Sequence, residues 1–209
     1  MKNNETMTAG INQSKKTLQM ALIAVMAAMI CVVAPFSIPL PFTLVPISFT
    51  NLMVFIAVFA LGWKRGTLSY VLYLLIGFVG VPVFSGFTGG PAKFLGPTGG
   101  YLVGFVLTAI VTGIIIDFAS DKELSSKSKT KVFRIVCYVA GMLIGALIFY
   151  AFGTVWYMLQ QGMEFRAAYI NSVLAACVVP FLPGDVMKIV IAVIVGIPLR
   201  TTLRKNQLV

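Results

Sequence analysis

From Thr17 to Ala34 the chain runs 18 residues without an acidic or basic side chain. A helix of that length rises about 27 Å, close to the roughly 30 Å hydrocarbon core of a bilayer. Similar runs recur to the C-terminus, and they constrain the chain more than any other feature. Segments of this kind suit a medium without water, where each helix satisfies its own backbone N–H and C=O groups. With 59% hydrophobic and 11% charged residues and a mean hydropathy of +0.97, there are too few charges to coat a soluble surface, which in ordinary domains carries about 25%.

A net charge of +10 could suggest a nucleic-acid partner, but such a protein gathers its lysines and arginines on one face or groove. Here 13 of the 16 basic residues lie at the termini or in two connections between apolar runs. That is the bias that keeps basic loops on the cytoplasmic side, so no nucleic-acid partner is expected. Histidine is absent, removing the commonest acid–base catalyst and metal ligand. Cys31, Cys137 and Cys177 show no paired spacing, so neither a metal site nor a disulfide framework is expected.

Charge and proline positions divide the chain into one all-α membrane domain over residues 1–209, a six-helix transmembrane bundle with both ends in the cytoplasm. Residues 1–15 and 200–209 read as cytoplasmic tails. Lys2, Lys15 and Lys16 place the start of the first span inside. Pro35, Pro39, Pro41 and Pro46 then prevent helix continuation, and the second span is expected from Leu44 to Leu61. Trp63, Lys64 and Arg65 end it inside, and a third run extends from Gly66 to Val83. The glycine- and proline-rich stretch at 85–100 cannot continue as a helix and reads as an outer loop.

The fourth span covers Tyr101 to Phe118; Lys122, Lys127, Lys129, Lys131 and Arg134 hold the next loop inside. The fifth covers Val132 to Phe152, extending toward Leu159, and QQGMEFR forms an outer connection. Ala167 to Val179 is 13 residues long, short for a span and closer to a re-entrant or interfacial segment. The sixth span is Pro183 to Leu199, closed by Arg200, Arg204 and Lys205. Lys93 and Arg166 then lie outside and Lys188 within the membrane.

Asp185 and Lys188 are the informative pair, because ionisable side chains inside a membrane are costly and mark binding or transport sites. Three residues apart, they share a helix face, where they either hold a ligand or merely orient the helix as an ion pair. Pro183 and Gly184 place Asp185 in the first turn, whose unpaired N–H groups attract negative charge. The loop GFTGGPAKFLGPTGGY allows close backbone approach to a ligand, but it lacks the P-loop order, and no other nucleotide motif is present. Tyr101, with Phe84, Phe87 and Phe94 nearby, could wall a pocket for a partly apolar ligand or belong to an interfacial aromatic belt. Small residues four apart, Gly100 with Gly104 and Gly141 with Gly145, suggest close helix packing; Ala24 and Ala28 repeat the pattern on the first span. Asp117 reads as a solvated or locally paired carboxylate at the inner end of the fourth span. A membrane enzyme of lipid metabolism would need clustered carboxylates or a nucleophile with its base, and the six acidic residues are scattered. A structural or channel-forming protein would leave Asp185 and Lys188 as an internal pair.

The stretch GVPVFSGFTGGPAKFLGPTGGYLVGF (80–105), together with FLPGDVMK (181–188) and VPISFTNLMVFIAVFALGWKRG (45–66), resembles the BioY family. These are the biotin-specific S components of energy-coupling factor (ECF) transporters. The resemblance covers about Lys16 to Arg204. It implies capture of biotin from outside, with uptake through a transmembrane coupling protein and two cytoplasmic ATPases that use ATP, in the bacterial cytoplasmic membrane; the alternative is an S component for another small vitamin. It points to Thr88, Gly89, Gly90, Phe94, Tyr101, Asp185 and Lys188 as substrate-binding positions and implies no cofactor. Lys188 suits the biotin carboxylate and Asp185 the ureido N–H groups, although Asp185 could instead only orient Lys188. An alanine-rich face on the first helix, here Ala24 and Ala28, is the family's docking surface for the coupling protein. Some relatives carry Asn in place of Thr88 and Arg in place of Leu102; Lys93 lies in the same loop.

Overall fold

Seven helices carry the chain in the computed structural model, which describes residues 2–41, 43–122, 127–163 and 167–206. Glu123, Arg166 and the side chains of Lys2, Lys15 and Lys127 lie outside what is described, so the expected inside and outside charges at those positions are not placed. Helix α1 (Lys2–Val33) is followed by a two-stranded antiparallel ribbon, β1 (Ser37–Leu40) and β2 (Thr43–Ser48). Helix α2 (Thr50–Phe78), the single-turn α3 (Ala92–Leu95), α4 (Gly99–Asp121), α5 (Lys127–Gln160), α6 (Ala167–Cys177) and α7 (Leu182–Lys205) complete it. Among the described residues, five helical stretches are long and apolar enough to cross a membrane. The chain is a multi-pass membrane protein.

The ribbon corrects the expected second span, which starts at Thr50 and not at Leu44. Pro39, Pro41 and Pro46 remove helix donors, while Thr43, Val45 and Ile47 favour an extended backbone. Pairing joins Ser37 to Ser48 and Ile38 to Ile47, with an irregularity between Ile38 and Leu40, next to Pro39, which has no N–H to give the ladder. Both tails expected at the termini are partly helical, since α1 reaches back to Lys2 and α7 forward to Lys205. The run 167–179 forms a short helix of its own. Non-helical torsions at Val178 and a 3-10 turn, Val179–Phe181, separate it from α7.

Within α2 the backbone leaves the helix at Gly62 (φ 78°, ψ 175°), a conformation open to glycine alone. The chain reverses there, one turn before the expected opening at Gly66. A Cβ on Gly66 would stand 2.7 Å from the Val58 Cα, so the two arms pack backbone to backbone. The break leaves helix ends to satisfy. Asp117 of α4 accepts the Trp63 N–H at 3.0 Å, and Arg200 of α7 donates to the Phe59 carbonyl at 3.2 Å and to Asp117. Asp117 is therefore a paired carboxylate that joins α2, α4 and α7 at one end of the bundle.

The seam between α4 and α5 uses the glycine spacing as expected. A Cβ at Gly104 would lie 3.0 Å from the Phe149 Cα, and one at Gly145 would lie 2.3 Å from the Thr112 hydroxyl. At that close approach Thr108 and Thr112 donate across the seam to the Gly145 and Gly141 carbonyls at 2.8 and 3.0 Å. On α1, Met26, Ala27 and Ile30 turn inward, whereas Ala24 and Ala28 are exposed. Ala24 borders a shallow apolar groove with Leu68, Leu72 and Leu75 of α2.

Candidate functional site

At the end of the bundle opposite the Asp117–Arg200 pair, six segments surround a narrow cavity. Its walls come from β2 (Val45, Ser48), the start of α2 (Asn51), the loop before α4 (Ser85, Lys93), α4 (Tyr101, Phe105), α5 (Phe149, Tyr150) and the chain around α7 (Phe181, Asp185, Lys188). A water-sized sphere can occupy about 60 Å³ of it, room for a few waters.

Asp185 and Lys188 are each only 6% exposed. Taking two charges out of water costs several kcal/mol per ion unless partners surround them, and here they do. The Asp185 Oδ1 accepts from the Asn51 amide at 2.8 Å and from the Lys188 ammonium at 3.1 Å, and its Oδ2 accepts from the Tyr150 hydroxyl. Lys188 also donates to the Ser48 carbonyl at 2.8 Å, which ties α7 to the end of β2. The Asn51 Oδ1 is buried without a partner. Since an unsatisfied buried acceptor costs about 1–3 kcal/mol, it is an unmet demand for an N–H or O–H at the cavity wall.

The second cation is Lys93. It is half-buried, burial pushes its ammonium below the usual lysine range, and it reaches the Ser85 carbonyl at 3.4 Å. Among the described residues no carboxylate pairs with it. The cavity thus offers a carboxylate and an orphan amide oxygen as acceptors, an anchored ammonium, and an ammonium whose charge is not neutralised, between aromatic walls. Such a set suits a ligand with N–H donors, a carbonyl and a separate anionic group. Among the described residues no group of histidine, cysteine, aspartate or glutamate could hold a metal ion.

A family profile matches residues 3–205 of the sequence, almost its whole length. The chain belongs to the BioY family. It is 34% identical to the biotin transporter BioY of Rhizobium etli, over 86% of this chain and 91% of that protein. To the BioY of Thermotoga maritima it is 35% identical, over 87% and 95%. Its fold is similar to the crystal structure of an S component for biotin from an ECF-type ABC transporter, with a TM-score of 0.74, 26% identity and coverage of 90% and 93%.

Of the positions to which the BioY resemblance points, Asp185, Lys188 and Tyr101 line the cavity. Tyr101 donates to the Cys177 carbonyl at 3.4 Å, and Gly153 gives its ring room. Thr88, Gly89, Gly90 and Phe94 stand off the cavity and shape the loop beside it. Thr88 donates to the Ser85 carbonyl at 3.1 Å, and the Gly90 N–H to the Gly77 carbonyl at 2.8 Å. Gly89 lies against the Gly80 and Val81 carbonyls, where a Cβ would meet backbone at 2.4 Å. Phe94 stacks edge-on against Phe84 and Phe78, each at 5.5 Å. These contacts set the course of the loop that carries Ser85 and Lys93. Leu102 lines the cavity as an apolar wall, and its carbonyl accepts from the Tyr70 hydroxyl at 3.1 Å. Asn51 and Tyr150 escaped the sequence reading because each sits inside an apolar run. Only the rarity of an amide at the head of such a run could have singled out Asn51.

Proposed function

We propose that this chain is the S component of an ECF transporter, a membrane subunit that captures biotin from outside and has no catalysis or ATPase of its own. The observation that carries the reading is the paired demand at the α7 end of the cavity. The Asp185 carboxylate and the orphan Asn51 oxygen supply acceptors for the two ureido N–H groups, and Lys188 supplies a donor for the ureido carbonyl. Phe105, Phe149 and Phe181 suit the apolar ring and chain, and Lys93 the carboxylate. Lys188 is already committed to Asp185 and Ser48, so Lys93 is the better cation for the carboxylate. Because a small-molecule site usually encloses about 300–1,000 Å³, the loop at 85–100 parts to admit the ligand and closes over it.

The same reading orients the bundle in the bacterial cytoplasmic membrane. Counting the two arms of α2 separately gives six spans, α1, the arms, α4, α5 and α7, with both ends inside. Asp117, bonded to the Trp63 N–H and to Arg200, joins helix ends that carry Lys64, Arg65 and Arg204 nearby, in keeping with that orientation. Uphill uptake then rests on a transmembrane coupling protein and two ATPases, with the exposed face of Ala24 and Ala28 as the docking surface.

Titration calorimetry of purified protein with biotin tests the proposal. Saturable binding is expected, together with its loss in Asp185→Asn and Lys188→Ala. Unchanged affinity in both variants defeats the site assignment, and absence of binding to the unaltered protein defeats the substrate.

A further inference from the structure

At the Asp117–Arg200 end, α5 and α7 part to leave a second hollow, of about 370 Å³. Lys131, Arg134, Tyr138, Arg200 and Arg204 are among the residues that line it. Among the described residues two of its cations have carboxylate partners, Arg200 with Asp117 and Arg204 with Asp121 at 2.6 Å. The other two do not. Arg134 spends one nitrogen on neutral acceptors, the Ser120 and Lys122 carbonyls at 2.8 and 3.2 Å. The Nε atoms of Arg134 and of Arg200, a residue 4% exposed, are buried without a partner. Among the described residues, two cations without a carboxylate partner on the wall of one hollow, and two unpaired guanidinium donors buried behind it, call for an anion with several oxygens.

What continues from the hollow says which anion. The same seam runs on as an apolar groove of about 330 Å³, lined by Val139 and Leu143 of α5 and by Val186, Val190, Val193 and Ile194 of α7. On α5, Tyr138 of the hollow adjoins Val139 of the groove; on α7, Ile197 of the hollow lies one turn from Ile194. From Ile197 back to Val186 the helix rises about 16 Å, half of a hydrocarbon core of about 30 Å. A basic hollow at the interface that opens into an apolar groove one leaflet deep has the form of a phospholipid. We infer that the α5–α7 seam holds one anionic phospholipid, its phosphate among Lys131, Arg134 and Arg200 and an acyl chain along the groove.

Native mass spectrometry of the full chain tests this, with palmitoyl-oleoyl phosphatidylglycerol, phosphatidylcholine of the same chains, and glycerol 3-phosphate as probes. One phosphatidylglycerol should bind per chain, tighter than the other two probes. At about 5-fold per basic residue, Lys131→Gln with Arg134→Gln should weaken it roughly 30-fold and leave phosphatidylcholine unchanged, whereas Val190→Trp should weaken both lipids. Lys131→Arg with Arg134→Lys, which keeps the charge, should restore most of the loss. Retained biotin binding shows that each variant is folded, and Lys131→Gln alone serves if the double variant is not. Equal binding of the two lipids, glycerol 3-phosphate as tight as phosphatidylglycerol, or no change on charge removal overturns the inference.

Discussion

The Asp185–Lys188 pair predicts an order of stabilities that a purely apolar helix face would not give. Lys188→Met removes the ammonium but leaves Asp185 two donors, the Asn51 amide at 2.8 Å and the Tyr150 hydroxyl. Hydrogen bonds to a charged group contribute about 1.5–3 kcal/mol each, so the cost should sit near the low end of the roughly 3–5 kcal/mol seen when a buried pair is broken. Asp185→Asn does the opposite damage. It leaves a buried ammonium with neutral acceptors alone, the Ser48 carbonyl at 2.8 Å and the new amide oxygen, and takes the anionic acceptor from Asn51 and Tyr150, so its cost should lie near the top of that range. Replacing both removes both buried charges, a change that is often neutral in other proteins, and should recover about 2–4 kcal/mol relative to Asp185→Asn. Thermal unfolding in detergent, followed with a thiol-reactive dye that reports exposure of the buried Cys177, gives the order. The double variant should melt highest of the three, Lys188→Met next and Asp185→Asn lowest, with biotin binding lost in all. A double variant less stable than both singles would refute the reasoning, because the cost would then lie in packing and not in uncompensated charge.

Lys93 gives a pH signature. Its ammonium lies below the usual 10.5 because burial disfavours the charged form, so the penalty on the unliganded fold is present at low pH and is relieved as pH rises toward the unfolded value. Biotin affinity should move the other way, holding near neutrality and weakening below pH 10.5 as Lys93 loses its proton; Lys93→Gln should flatten that fall in calorimetric titrations. Gly62→Ala should destabilise the fold by about 1–3 kcal/mol in the same dye assay, since φ is 78° and the new Cβ would stand 3.1 Å from the Asp117 carboxylate. Ala24→Trp with Ala28→Trp should leave biotin binding intact, because both positions are exposed on α1, and should abolish uptake in cells that carry the coupling subunits; unimpaired uptake would exclude that face as the docking surface.

What the sequence makes legible and what it hides separate along a physical line. Long uncharged runs announce the helices because one property, apolarity over about 20 residues, decides them. Asp185 and Lys188 are equally visible, because a charge inside such a run has no cheap explanation. The ribbon at 37–48 is less visible, since four prolines say where a helix cannot continue without saying what replaces it. The reversal at Gly62 is obscured by its neighbours: Lys64 and Arg65 mark the region as an end, but the residue that turns the chain is the one able to adopt a positive φ. Hardest to read are the partners that make the buried charges tolerable. Asn51 lies 134 residues from Asp185, and Tyr150 lies 35 away; neither stands out locally, as one amide or phenol costs little at the edge of an apolar run.

The two ends of α7 show why such partners must come from elsewhere in the chain. Asp185 and Arg200 are separated by about 22 Å of helix, too far to compensate each other. Each charge is met where it stands, the first by α2 and α5 and the second by α4. Between Lys188 and Arg200 α7 carries no charged or polar side chain, so the helix is held by polar contacts at its ends and by packing along its length. Pro198 interrupts the backbone bonding of α7 two residues before Arg200, and beyond it the helix is tied to α2 through the Phe59 carbonyl and to α4 through Asp117. The two anchors are therefore independent, and loss of either leaves the partners of the other in place.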